Sequence, residues 1–130
     1  MISPQQELYS GLLVTLRARL PCQVHDARIH DGRASFPYVY MGEARQTDTP
    51  RKGIITGTVS ITIHVWHDDE RRRGDLSDIM ARALNVCRSV PSDTLSFTLD
   101  TANQRILTDD TGEPVLLHGV LDVRWRFSSL

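Results

Sequence analysis

The densest collection of chemically capable side chains in this sequence is His64-Val65-Trp66-His67-Asp68-Asp69-Glu70. Imidazoles followed by carboxylates are the ligand types a zinc or other divalent metal centre uses, and such a centre could activate water for hydrolysis. The spacing argues against it. The residues leading into this run alternate as a strand does, and two positions three apart on a strand point to opposite faces. His64 and His67 could serve one metal only if the chain turned sharply at Trp66. His25 and His30 flank a short loop, where a lone histidine is ordinarily a surface residue. His118 comes close to His64 only if the strands that carry them pair, and two histidines without a nucleophile or carboxylate beside them define no reaction. No GxSxG elbow, HExxH, P-loop or CxxC is present. Gly53 to Gly57 (GIITG) lacks the lysine of a phosphate loop. The residues therefore read as non-catalytic, with no metal and no cofactor expected.

Stretches of regular pattern must carry these residues. Ser3-Pro4 opens a helix, with Gln6 placed for a capping box and Leu8, Leu12, Leu16 and Leu20 forming a stripe that Pro21 ends. A short strand around Val24 leads to a turn at Asp31-Gly32. Phe36 to Met41 reads as a strand, followed by a polar connection that opens at Gly42. Its part from Arg45 to Gly53 holds no apolar anchor and is expected to be exposed and mobile. Val59, Ile61, Ile63 and Val65 alternate with polar residues in the clearest strand, Thr56 to Trp66. Asp75 is placed to cap a second helix, whose apolar face is Leu76, Ile79, Met80, Ala83, Leu84 and Cys87. Two short strands (95–99 and 105–108) and a long final one follow. In the last, Leu117, Leu121, Val123, Trp125 and Phe127 share a face. The fold class expected is α+β, an antiparallel-rich sheet with two amphipathic helices on one face, in a single domain spanning residues 1–130.

Composition narrows the partners. The chain has 130 residues, 40% hydrophobic and 24% charged, with 15 basic residues against 16 acidic. A net charge of −1 shows no basic excess for gripping phosphates, so specific nucleic-acid binding is not expected. Arg71-Arg72-Arg73 directly follows Asp68-Asp69-Glu70, and the charges cancel locally. The start Met-Ile-Ser-Pro-Gln-Gln-Glu lacks the features of a signal peptide, and no apolar run approaches the roughly 20 residues a membrane helix needs. Cys22 and Cys87 are too few for a disulfide framework, which points to free thiols in a reducing cytoplasm. No long exposed apolar stripe is evident, so the free chain is expected to be monomeric or weakly associating. Trp66 admits two readings: an exposed interface anchor, or a side chain buried under a covering segment.

With these elements placed, the chain resembles the tail-completion (tail terminator, head-to-tail joining) proteins of long-tailed phages and prophages. FPYVYMGE at Phe36–Glu43, SITIHVW at Ser60–Trp66, the helix of 75–90 and LLHGVLDVRWRF at Leu116–Phe127 carry the resemblance. The segment DDERRRG departs from the family's small-residue connection after the long strand. The resemblance implies a structural virion assembly protein, made in the host cytoplasm and incorporated in the virion. It implies a hexameric ring that caps the tail tube, with the major tail tube protein and the head connector protein as partners. Arg45, Asp48, Arg51, Lys52 and Trp66 are the residues expected at such junctions. Two alternatives stand beside it: another small prophage head or neck completion protein, and a small metal-dependent hydrolase using His64, His67, Asp68 and His118.

Overall fold

The alternation that marks Thr56–His67 places β-branched side chains on one face of a strand. In the computed structural model, which describes residues 1–27 and 35–130, Val59, Ile61, Ile63 and Val65 are all buried, while Thr58, Ser60, Thr62 and His64 on the other face stay half-exposed. In chain order the elements are α1 (Pro4–Arg19), β1 (Gln23–His25), β2 (Tyr38–Asp48), β3 (Thr56–His67), α2 (Arg73–Cys87), β4 (Leu95–Asp109) and β5 (Leu116–Ser129). The strands form a five-stranded sheet in the order β1-β2-β3-β5-β4, antiparallel except for the β1–β2 pair. The fold is the expected α+β class. The turn expected at Asp31-Gly32, and His30, lie outside the described residues.

One cluster of buried side chains joins the helices to the sheet: Leu8, Leu12 and Leu16 from α1, Ile79 and Met80 from α2, and the alternate residues of β3 and β5. Register makes this possible. Val65, Ile63, Ile61 and Val59 stand opposite Gly119, Leu121, Val123 and Trp125, so two long strands present one continuous apolar surface. Trp125 is the largest fully buried side chain, and its indole Nε1 donates to the Cys87 carbonyl at 2.8 Å, tying the end of α2 to the sheet. No helix among the described residues is long and apolar enough to cross a membrane.

Several boundaries differ from expectation. Pro4 does occupy the first turn of α1, but no side chain caps it: Glu7 N–H bonds the Ser3 carbonyl at 3.0 Å and Gln6 turns to Ser10. Asp75 does not cap α2, which starts earlier, after Arg72. Its carboxylate instead takes the His67 imidazole at 2.9 Å. Leu84 is only half-buried against the core, and Val86, on the other edge of the apolar face, is buried as well. The two short strands before the last loop are one strand, β4, with an irregularity between Leu99 and Thr101. The mostly polar residues 100–104 read as a break because β4 is an edge strand, half-solvated whatever its conformation.

The largest correction concerns the segment expected to be an unanchored loop from Arg45 to Gly53. β2 continues through Arg45 to Asp48, paired with β3 residue by residue after a register shift between Met41 and Ala44. Its polar composition reflects an edge position, since β1 pairs only with Tyr38, Val39 and Tyr40 and leaves the rest of β2 uncovered on that side.

Cys87 is a core group and Cys22 is half-buried against the core. Cys22 and Cys87 are both free. Burial, with a smaller contribution from the Asp75 charge, pushes Cys22 up from 9.0 to about 11, and burial pushes Cys87 up to about 12. The unfolded thiols ionise first as pH rises. The stability these groups contribute is therefore fully present below about pH 9 and lost as pH climbs toward 11–12. Native protein at pH 8 is expected to react far more slowly with a disulfide reagent than denaturant-unfolded protein, in which two thiols titrate at once. Equal rates in the two states would contradict the burial of Cys87 and the partial burial of Cys22.

Candidate assembly surface

The turn between β2 and β3 is the most prominent exposed feature among the candidate residues. Thr49 N–H bonds the Thr56 carbonyl at 2.9 Å, and Arg51 pairs with Ile54 across a tight turn. Gly53 sits at φ 83°, a left-handed conformation that a side chain would strain. At the base of the tip, Ile55 N–H donates to Ser129 Oγ at 3.1 Å and the Ser129 N–H donates to the Ile55 carbonyl at 2.8 Å. The backbone is thus fixed to β5 while the apex projects. Arg51 and Lys52 are exposed there, and Ile54 and Ile55 remain 44% and 40% exposed. The two isoleucines escaped sequence reasoning. Their signal was present, since two β-branched apolar residues directly follow the turn glycine, but they merge with the strand that begins at Thr56.

Arg45 and Asp48 stand on β2 below this tip. Arg45 is exposed, opposite Ser60 on the sheet face turned away from the helices, and Asp48 accepts a 2.7 Å hydrogen bond from Gln46 Nε2. Trp66 is not with them. It lies at the far end of β3, ten residues from Thr56, roughly 33 Å along the strand. It is 3% exposed, so the buried reading of this side chain is the one the fold adopts. The five residues divide into a projecting basic tip with its supporting strand and a separate buried tryptophan.

Around Trp66 the open face of the sheet carries a stack of rings. The indole lies flat on His118 with centroids 3.9 Å apart, His118 faces His64 at 5.0 Å, and His64 stacks on Tyr40 at 4.3 Å. β3 and β5 do pair, so the two histidines meet: His64 Nδ1 and His118 Nε2 are 2.8 Å apart. A bond between two ring nitrogens needs one donor and one acceptor, so it holds with at most one imidazole charged. His67 points to the opposite face. Its Nε2 pairs with Asp75, and its Nδ1 accepts the Asp69 N–H at 3.1 Å, which locks the turn onto α2. His64 and His67 thus engage separate partners on separate faces. Among the described residues no group of three or more histidine, cysteine or acidic side chains is placed to hold a metal ion.

The DDERRRG turn is likewise occupied. The Arg71 backbone N–H, first, and then its guanidinium hold the Asp69 carboxyl below the ordinary carboxylate value. On the open face, Asp100 leaves the β4 irregularity to pair with Arg124 at 2.7 Å, and Thr62 donates to Asp122 at 2.7 Å. These are polar ties across the open face of the sheet.

Comparison with known proteins bears on the family and the fold. The family model described as tail completion protein gp17 matches residues 12–128. A chain in a solved structure described as the virion of a native gene transfer agent (GTA) particle is similar to this one, with a TM-score of 0.61 and 17% identity. The alignment covers 96% of this chain and 92% of that chain. At that identity the likeness speaks to the fold. A search of curated proteins finds no match.

Proposed function

Because the chain belongs to the tail completion protein gp17 family, and is thereby a structural component of phage tail assembly and of the virion, we propose that it caps the tail tube as a hexameric ring and joins it to the head connector. The observation that carries this reading is the extent of the family match: residues 12–128 take in the second half of α1, all of α2 and the five strands but for the last residue of β5, so the likeness is to nearly the whole fold and not to one motif. The major tail tube protein and the connector are the partners of such a ring, which is assembled in the host cytoplasm.

The β2–β3 tip is the junction element in this reading. It is rigid at its base and offers Arg51, Lys52, Ile54 and Ile55 to whatever lies beyond the sheet, while Arg45 and Asp48 extend the polar contact along β2. A preformed projection loses little conformational freedom on docking, which favours recognition by a small contact.

Replacing residues 49–54 with a Gly/Ser linker of equal length tests this. These side chains are exposed, so the isolated domain is expected to keep its melting temperature within a few degrees. Rescue of a phage lacking the gene is expected to fall to near background, with heads and tails accumulating unjoined in electron micrographs. Normal yields of infectious particles from this variant would overturn the role of the tip.

A further inference from the structure

The two strand connections at opposite ends of the sheet are opposite in charge, and each sets its charges beside apolar residues. In the β2–β3 tip, residues 49–55, the charged groups are Arg51 and Lys52, beside the exposed Ile54 and Ile55. In the β4–β5 turn, residues 110–115, the charged groups are Asp110 and Glu113, both exposed. Beside them lie the half-buried Val115 and, on the adjoining strand, Leu107 at 44% exposure. Each patch is a pair of like charges on an apolar footing.

The two cannot meet within one molecule. β3 and β5 run antiparallel, with Thr56 opposite Ser128 and His67 opposite Leu117, so the tip leaves one end of the sheet and the turn the other. Twelve strand residues separate them by roughly 40 Å, several times the screening length of about 8 Å at physiological salt. Their complementarity has an outlet only between molecules. The other acidic run at the turn's end, Asp68 to Glu70, is no competitor. It is followed at once by three arginines, and Asp69 is already engaged by Arg71.

We propose that the β2–β3 tip of one copy docks on the β4–β5 turn of a second copy, head to tail, with Arg51 and Lys52 against Asp110 and Glu113 and the isoleucines against Leu107 and Val115. A contact between two different patches of one chain is heterologous, and repetition closes it into a ring when the rotation allows. The inference rests on the ring reading above and names the surface that would build the ring. The patches are small, so the contact is weak in free protein and strengthens when a tube end holds the copies side by side.

Charge reversal tests it on the full chain. Arg51→Glu with Lys52→Glu makes an all-acidic pair of patches, and Asp110→Lys with Glu113→Lys an all-basic pair. All four positions are exposed, and thermal melts check that both variants fold. In sedimentation equilibrium at near-millimolar protein and low salt, wild type is expected to self-associate, and added salt to weaken it. Each variant alone is expected to lose about tenfold or more in association constant. An equimolar mixture of the two is expected to recover it, because the acidic tip of one then faces the basic turn of the other. Wild-type protein that stays monomeric under these conditions, or a mixture no tighter than its components, overturns the proposal. Wild-type association unchanged by either reversal also overturns it. The ring reading is judged separately, by counting copies of the chain per particle.

Discussion

Trp125→Ala is expected to destabilise the domain by about 3–5 kcal/mol, a large share of the 5–15 kcal/mol available to a domain of this kind. Three features converge on this side chain. It is fully buried, it lies between Val59 and Leu99 on the two strands that flank β5, and its indole satisfies the Cys87 carbonyl at 2.8 Å. That carbonyl is among the last of α2, which have no partner within the helix. Truncation therefore opens a cavity at the centre of the sheet and leaves a buried acceptor unpaired. Trp125→Phe separates the two effects. It keeps most of the apolar volume and loses the hydrogen bond, for about 1–3 kcal/mol. Denaturant melts followed by far-ultraviolet circular dichroism give both numbers. A loss below about 1 kcal/mol for Trp125→Ala would mean that α2 does not close on the sheet at this point.

The second large effect is expected at Gly57, the first residue of β3 to face the core. A Cβ there would run into the Thr47 carbonyl oxygen and would lie 2.8 Å from the Phe127 ring and 3.0 Å from Asp48 Cα. Two of these three obstacles are backbone, paired in the ladder that joins β2 to β3, and cannot turn aside as a side chain can. Gly57→Ala is expected to cost about 3 kcal/mol, the upper end of the overpacking range. It is also expected to loosen the base of the β2–β3 tip, visible as faster amide exchange at Thr49. Gly74 in the first turn of α2 is the matched control. Nothing lies within 4 Å of its would-be Cβ, and Gly74→Ala is expected to be neutral or to stabilise by up to about 1 kcal/mol. Equal melting midpoints for the two variants would contradict the close strand contact.

These positions show what could and could not be read from residues alone. Alternation in β3 and β5 identified the buried face because a one-residue error would have exposed every apolar side chain. The placement of His64 and His67 on opposite faces followed from the same rule. What failed was reading edge strands. The second half of β2 and the middle of β4 have one side in water, so polar residues there carry no signal against a strand. Asp75 was misread for a different reason. Its residue type suits a helix cap, and only the fold shows that His67, packed against the start of α2, engages that carboxylate first. Trp66 was undecidable from its own strand, since the ring it covers belongs to His118 on β5, 52 positions away in sequence.

The irregularity at Asp100 bears on what the free edge of such a chain can pair with. An edge strand as long as β4 offers its free side to any extended segment that drifts past at high protein concentration. Regular strands in that setting grow into fibres. Between Leu99 and Thr101 the ladder of β4 slips, and the Asp100 carboxylate turns onto Arg124, with Arg126 a further 3.9 Å contact. The slip breaks the edge into two runs out of register with each other, so an incoming strand that matches one half misses the other. A subunit with this interruption resists strand-on-strand growth along its longest edge.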